Sequence, residues 1–123
     1  DAFNEKLNQS SMRFYKRIAY VNYEGMVMNE SVAKKLSSKV KKNTKVIILR
    51  NHGVIIIGKN ISELFHLTFH FEKCAEIQLK LTHKSVLQNV SAKVASLTCN
   101  QHEGFGPVGK LSWEAVLREI KKK

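Results

Sequence analysis

His52 stands between Asn51 and Gly53, at the one interruption in the most apolar run of the chain, which extends from Val46 to Gly58. An imidazole fixed at the tip of rigid buried strands, beside a glycine that lets other groups approach closely, is well placed to be a metal ligand. Asn and Gly are equally the residues of a tight turn, so the tripeptide also reads as turn chemistry alone, and the residues leave the two readings level. His66 and His70 are spaced i, i+4, which puts both rings on one helical face, as a chelating pair requires. They lack the glutamate of a His-Glu-x-x-His pattern, so satisfied or exposed histidines are the better reading. No serine sits in a glycine-flanked elbow and no candidate nucleophile pairs with a histidine, which argues against acyl transfer. Cys74 and Cys99 lie far apart without ligand-like spacing and read as free thiols, Cys74 within a buried helix. The glycines at 104, 106 and 109 lack the preceding strand and the Lys-Ser/Thr ending of a phosphate loop, and so read as linker or lid.

These residues need elements to hold them. The apolar run is dense in β-branched residues and too short for two helices, so it predicts two fully buried strands in an antiparallel hairpin. Strands apolar on both faces call for helices over both faces, hence a layered α/β core. Upstream, residues 1–11 are polar around Phe3 and Leu7 and fit a short helix or a fraying terminus, and a strand is expected near residues 17–20. The tyrosines Tyr15, Tyr20 and Tyr23 fit the wall of a ligand cleft or, more commonly, the amphipathic wall of a strand. Val32, Leu36 and Val40 at four-residue steps predict a helix of about three turns, capped by Asn29 and broken at Asn43-Thr44. Asn60 with Glu63 fits a capping box opening a long helix that ends near His83, its first half largely buried against the sheet. A short helix over 86–97, a loop over 98–109, and a last helix capped by Ser112 complete the chain. Trp113, Val116, Leu117 and Ile120 form the face of that last helix that must dock on the core or on another subunit.

The 123 residues are about one domain, and the absence of a methionine before Asp1 suggests a processed product or a piece of a longer chain. Lys and Arg number 21 against 10 Asp and Glu, a formal charge of +11, which permits binding to nucleic acid or an anionic membrane surface. No aromatic-studded recognition motif accompanies the lysines, which cluster where a helix face or a terminus is solvated anyway, so nucleic acid is not the expected partner. Without a signal peptide or an apolar run long enough to span a bilayer, a soluble, reducing, cytoplasmic setting is expected, with no membrane partner.

Leu49-Arg50-Asn51-His52-Gly53, then Gly58, then Glu72, Ala75 and Gln78 along a helix, resemble the C-terminal half of the class II aldolase/adducin superfamily. Phe14-Tyr15, Ala19-Tyr20, Tyr23-Glu24-Gly25, Gly109-Lys110-Leu111 and Trp113-Glu114-Ala115 resemble its adducin-like branch more than its sugar-phosphate aldolases. The resemblance runs from about Met12 to Leu117. It implies a three-layer α/β/α sandwich, with residues 1–123 as the C-terminal portion of a single such domain, and assembly as a homo-oligomer, often a tetramer. In the family's enzymes a divalent metal, usually zinc, is held by three histidines and stabilises an enediolate during carbon–carbon cleavage or epimerisation. By direct match the histidine of Asn-His-Gly is His52, the metal ligand expected here. The other two come from an upstream His-x-His, and none occurs in these residues. Where the branch carries Tyr-His-Asp-Tyr, this chain has Tyr20-Val21-Asn22-Tyr23.

The leading expectation is therefore a segment of an aldolase-like, metal-dependent carbon–carbon lyase or related enzyme, with the rest of its site upstream. The alternative is a non-catalytic, adducin-like protein binding cytoskeletal or other protein partners. A degraded remnant of such a gene and an electrostatic binder of nucleic acid rank below both.

Overall fold

A computed structural model of the chain describes residues 2–25, 30–81 and 87–122. They fold as two compact units, one of Lys16–Ile57 and one of Asp1–Tyr15 with Gly58–Lys123.

In the first unit, β1 (Ile18–Asn22), α1 (Glu30–Ser37), β2 (Val46–Arg50) and β3 (Gly53–Ile56) follow in order. The sheet order is β1-β2-β3, with β1 parallel to β2 and β3 antiparallel to it. Ile18 pairs with Val46 and Asn22 with Arg50 in one ladder; Leu49 pairs with Gly53 in the other. Parallel neighbours need a crossover, which the segment containing α1 supplies; antiparallel neighbours need only a turn. The expected hairpin is present, and β1 starts one residue later and ends two residues later than expected. Helix α1 has two turns rather than three. Its register breaks before Val40 because Thr44 folds the chain back, its Oγ1 accepting from Lys41 N at 2.9 Å while its own N–H donates to Lys41 O at 2.9 Å. The proposed Asn29 cap lies outside the described residues.

The hairpin strands are not both fully buried. Val46 and Ile47 on central β2 are buried, whereas Val54 and Ile55 on β3 are 42% and 37% exposed. β3 is an edge strand, with a ladder on one side only, and so does not have the two-sided cover that its composition suggested.

In the second unit, a 3-10 turn at Ser11–Phe14 is held by Asn8, whose Oδ1 accepts from Ser11 N at 2.8 Å while Ser11 Oγ accepts from Asn8 N at 3.0 Å. Helix α2 (Ile61–Lys80) opens on the expected cap: Asn60 Oδ1 accepts from Glu63 N at 2.9 Å, and the Glu63 carboxylate accepts from Lys59 N at 2.5 Å. Gly58 makes the entry possible, since a Cβ there would lie 2.7 Å from Leu64 N. The buried stripe of α2 is narrower than its composition implied. Glu63, Leu67, Phe71 and Cys74 are buried at three- and four-residue steps, one line on a 3.6-residue helix, while Phe69, Ile77 and Leu79 are exposed. Phe71 joins Phe3 and Phe14 in a cluster with ring centroids 4.8 to 5.8 Å apart, so Phe3 is packed against the helix. Gln78 ties the amino-terminal segment further, accepting from Asn4 N at 2.6 Å and donating to Ala2 O at 2.9 Å. Helix α2 ends at Lys80; the expected end at His83 and the expected start of the next helix at Val86 lie outside the described residues.

Helix α3 spans Ala92–Gly104, so much of the segment expected to be loop is helical. Ser91 caps it by accepting from Val94 N, and Ala95 and Cys99, one turn apart, bury a face too small to show as an apolar stripe. Helix α4 (Lys110–Lys121) begins two residues before Ser112; its cap is Gly109 at φ 79°, which has no side chain to lend. No α4 residue is buried, although the helix packs on α2, with Trp113 and Phe65 ring centroids 5.7 Å apart.

Candidate functional site

His52 sits at the β2–β3 joint. Its N–H donates to Leu49 O at 3.0 Å, closing the turn, and Asn51 takes φ 61°, a left-handed conformation that asparagine tolerates better than most residues. The backbone here is therefore turn chemistry, whatever the imidazole does. The ring is exposed and lies flat on Tyr23, centroids 4.9 Å apart and planes within 6°. Stacking fixes the ring plane and leaves both ring nitrogens at its edge.

Around this pair is a cleft of about 280 Å³ whose walls include Tyr20, Lys35, Lys39, Leu49 and Arg50. β1 and β2 deliver their C-terminal ends to it, the place where parallel strands commonly present ligand-binding residues. Arg50 donates to Asn22 Oδ1 at 2.9 Å and holds its guanidinium 5.3 Å from the centre of the Tyr20 ring. Lys35 pairs with Glu24 at 2.5 Å. The tyrosines at 20 and 23 are thus cleft residues, the rarer of their two readings. The contributions of Arg50, Lys35 and Lys39 were not seen in the sequence. The adjacency of Arg50 to Asn51-His52-Gly53 was the available signal, whereas the two lysines looked like a solvated helix face.

The other histidine pair has a different role. His66 and His70 come together, ring centroids 4.4 Å apart. Arg13 NH1 lies 2.6 Å from His66 Nε2, which therefore acts as acceptor to a cation. Burial, and then the Arg13 charge, lower the His66 pKa to about 4, and burial with Arg13 lowers that of His70. Neutral rings facing a guanidinium do not make a cation site, and the satisfied reading of this pair is the one its contacts support. Cys74 and Cys99 are free and buried, and burial raises the Cys74 thiol to about 11, so it stays protonated.

Three histidines would hold a divalent metal and leave one coordination position open to substrate. Among the described residues no group of three or more His, Cys, Asp or Glu is arranged to hold a metal ion. The cleft lining supplies His52 and Glu24, the latter paired with Lys35, a partial ligand set that does not by itself fit a bound divalent ion. No helix among the described residues is long and apolar enough to cross a membrane.

Residues 2–79 match the sequence pattern of the Class II Aldolase and Adducin N-terminal domain. Human gamma-adducin is 33% identical over 119 residues, an alignment covering 84% of this chain and 17% of that protein. A candidate class 2 aldolase of Caulobacter vibrioides is 27% identical over 117 residues, covering 93% of this chain and 45% of that one. The crystal structure of an aldolase II superfamily protein from Pseudomonas syringae superposes with a TM-score of 0.81 at 26% identity, covering 95% of this chain and 48% of that chain. The chain spans less than half the length of each of these proteins.

Proposed function

The chain belongs to the class II aldolase and adducin family, with the mixed helix-and-sheet fold of that superfamily, and from this premise we propose that it is part of an aldolase-like, divalent-metal-dependent carbon–carbon lyase or related enzyme. In this reading residues 1–123 are the C-terminal portion of one domain, His52 is its contribution to the metal, and the remaining ligands come from protein outside these residues. The observation that carries it is the presentation of His52: a rigid turn, a ring plane fixed by Tyr23, and an exposed edge in a cleft. Zinc, when bound, would act as the Lewis acid of the chemistry. The chain's own residues would orient His52 through Tyr23 and present the cations of Lys35, Lys39 and Arg50 to an anionic substrate. Metal analysis of the full-length protein tests this. His52→Ala is expected to lower zinc affinity by more than the about 10- to 100-fold that losing an outer-shell partner costs, and so to lower zinc content; unchanged zinc would sink the assignment.

A second reading is favoured by a separate contact. Asn22, at a position where the branch carries Asp, accepts from Arg50 and ties β1 to β2. With Val21 beside it in place of the branch's His, the polar pair of that motif is reduced to a strand-tying contact, as suits an adducin-like protein that keeps the fold for assembly, as a homo-oligomer or with cytoskeletal partners in the cytoplasm. Cosedimentation of the full-length protein with actin filaments at moderate salt is the check, and a protein that stays in the supernatant would count against it.

A further inference from the structure

The cleft around His52 lies wholly within the unit of residues 16–57 and has two kinds of wall. One is apolar. Val32 and Leu36, four residues apart on α1, and Leu49 on β2 line it and are half-buried. Helix α1 has no fully buried residue, so this apolar face is still partly open to water. The Tyr20 ring continues the surface. A concave apolar wall with a few convergent polar groups is how small-molecule sites hold a carbon skeleton.

The other wall carries a cation that is held in place. Arg50 pairs in register with Asn22 across the β1–β2 ladder, donates to its Oδ1 at 2.9 Å, and lies 5.3 Å from the centre of the Tyr20 ring. Asn22 takes one of the five N–H donors of the guanidinium, so an edge with two donors remains for a planar anion. The carboxylate at the rim, Glu24, is matched by Lys35, and Lys39, one turn further along the chain, adds a second cation.

A polyhydroxylated chain suits these walls poorly, because each hydroxyl laid on Val32, Leu36 or Leu49 would lose water without gaining a partner. A phosphate dianion suits them less than a carboxylate does, since Lys35 already faces Glu24 and a single planar fork matches a planar anion. The volume of about 280 Å³ is at the lower edge of the ~300–1,000 Å³ of ordinary small-molecule sites, room for one ring or a short branched chain.

We propose that the cleft binds a monocarboxylate with an apolar body, aryl or branched alkyl, its carboxylate on Arg50 and its carbon skeleton on Val32, Leu36 and Leu49. The inference rests on the reading of this cleft as a substrate site and narrows that substrate from any anion to an apolar acid. Leu36 then sets specificity, and Arg50 orients the acid in the cleft that His52 also lines.

The test is calorimetric titration of the full-length protein with 3-phenylpropionate, propionate, 3-phenylpropanamide and glycerol phosphate at fixed ionic strength. Saturable 3-phenylpropionate binding is expected. Propionate should bind at least about tenfold more weakly, the loss of a buried ring, and the neutral amide and glycerol phosphate should be weaker too. Leu36→Asn puts a polar group in the apolar wall and should weaken 3-phenylpropionate by about tenfold, whereas Leu36→Met keeps the wall apolar and should stay within about threefold. Arg50→Gln, at an exposed position, should also cost about tenfold, the loss of one charge-assisted contact. Lys93→Gln removes an exposed charge on α3 and should leave affinity within about twofold. Circular dichroism verifies the fold of each variant, and should Leu36→Asn fail to fold, Arg50→Gln decides. Absent saturable binding, propionate or glycerol phosphate as tight as 3-phenylpropionate, or parental affinity in Leu36→Asn or Arg50→Gln would each overturn the proposal. The zinc content of His52→Ala reports on the metal assignment alone, so the two readings fail separately.

Discussion

The contact between Arg13 and His66 makes stability depend on pH in a definite direction. The His66 pKa falls from an ordinary 6.5 to about 4 through burial first and the Arg13 charge second, with His70 and His102 adding to it. Between those values the unfolded chain binds more protons than the folded one, so stability is complete above about pH 6.5 and declines as pH falls toward 4. The ring is only half-buried, so the loss is discounted for solvent screening to ~1 kcal/mol. Urea unfolding at pH 7 and pH 5 should show this loss in the parent protein and much less of it in a His66→Gln, His70→Gln variant. Equal losses in both would show that other groups control it. His66 and His70 were legible as a pair on one helical face. Arg13 was not legible as their partner, because an arginine between Met12 and Phe14 carries no mark of the helix it will meet some fifty residues later. His52 was legible both as a motif and as a turn, but its stacking on Tyr23 depends on β1 and β2 lying side by side.

At the scale of elements, caps decide where helices begin, and their costs can be measured. Asn60→Ala removes the acceptor for Glu63 N and should destabilise by ~1 kcal/mol, read as a lower urea midpoint with unchanged slope. Gly109→Ala should cost more, ~3 kcal/mol, since it combines a left-handed backbone angle with a backbone collision against α2. A Gly109→Ala protein as stable as its parent would refute the close approach of α4 to α2. The cap of α2 was readable because Asn60 and Glu63 act within one turn of each other. The starts of α3 and α4 were misjudged for the opposite reason. Ser91 is one polar residue among many, Ala95 and Cys99 bury a face without large apolar side chains, and Gly109 caps by backbone conformation, which looks like loop. Edge exposure was likewise hidden in the composition of Val54 and Ile55, which describes a strand without saying how many neighbours it has.

For the molecule as a whole, sequence patterns revealed the α/β class and the antiparallel hairpin, but not that the chain divides into a continuous unit and a discontinuous one. Periodicity reports which residues want cover, while partnership across long separations leaves no local trace. Gln78 bonds to Ala2 and Asn4, and Phe71 to Phe3, across the whole length of Lys16–Ile57. That nesting has a kinetic consequence. Closing so long an intervening segment costs about 3 kcal/mol of chain entropy if it is still unstructured, and contacts of such sequence separation form slowly. The sheet unit, contiguous in sequence, can gather before that closure. Pulse-labelled hydrogen exchange during refolding should find the β1, β2 and β3 amides protected ahead of those in the 3-10 turn at Ser11–Phe14, and the reverse order would reject this sequence of events. On the ribosome the asymmetry is sharper still: Phe3 and Phe14 emerge before their aromatic partner Phe71 is made and must wait for it, while residues 16–57, synthesised in between, can already gather.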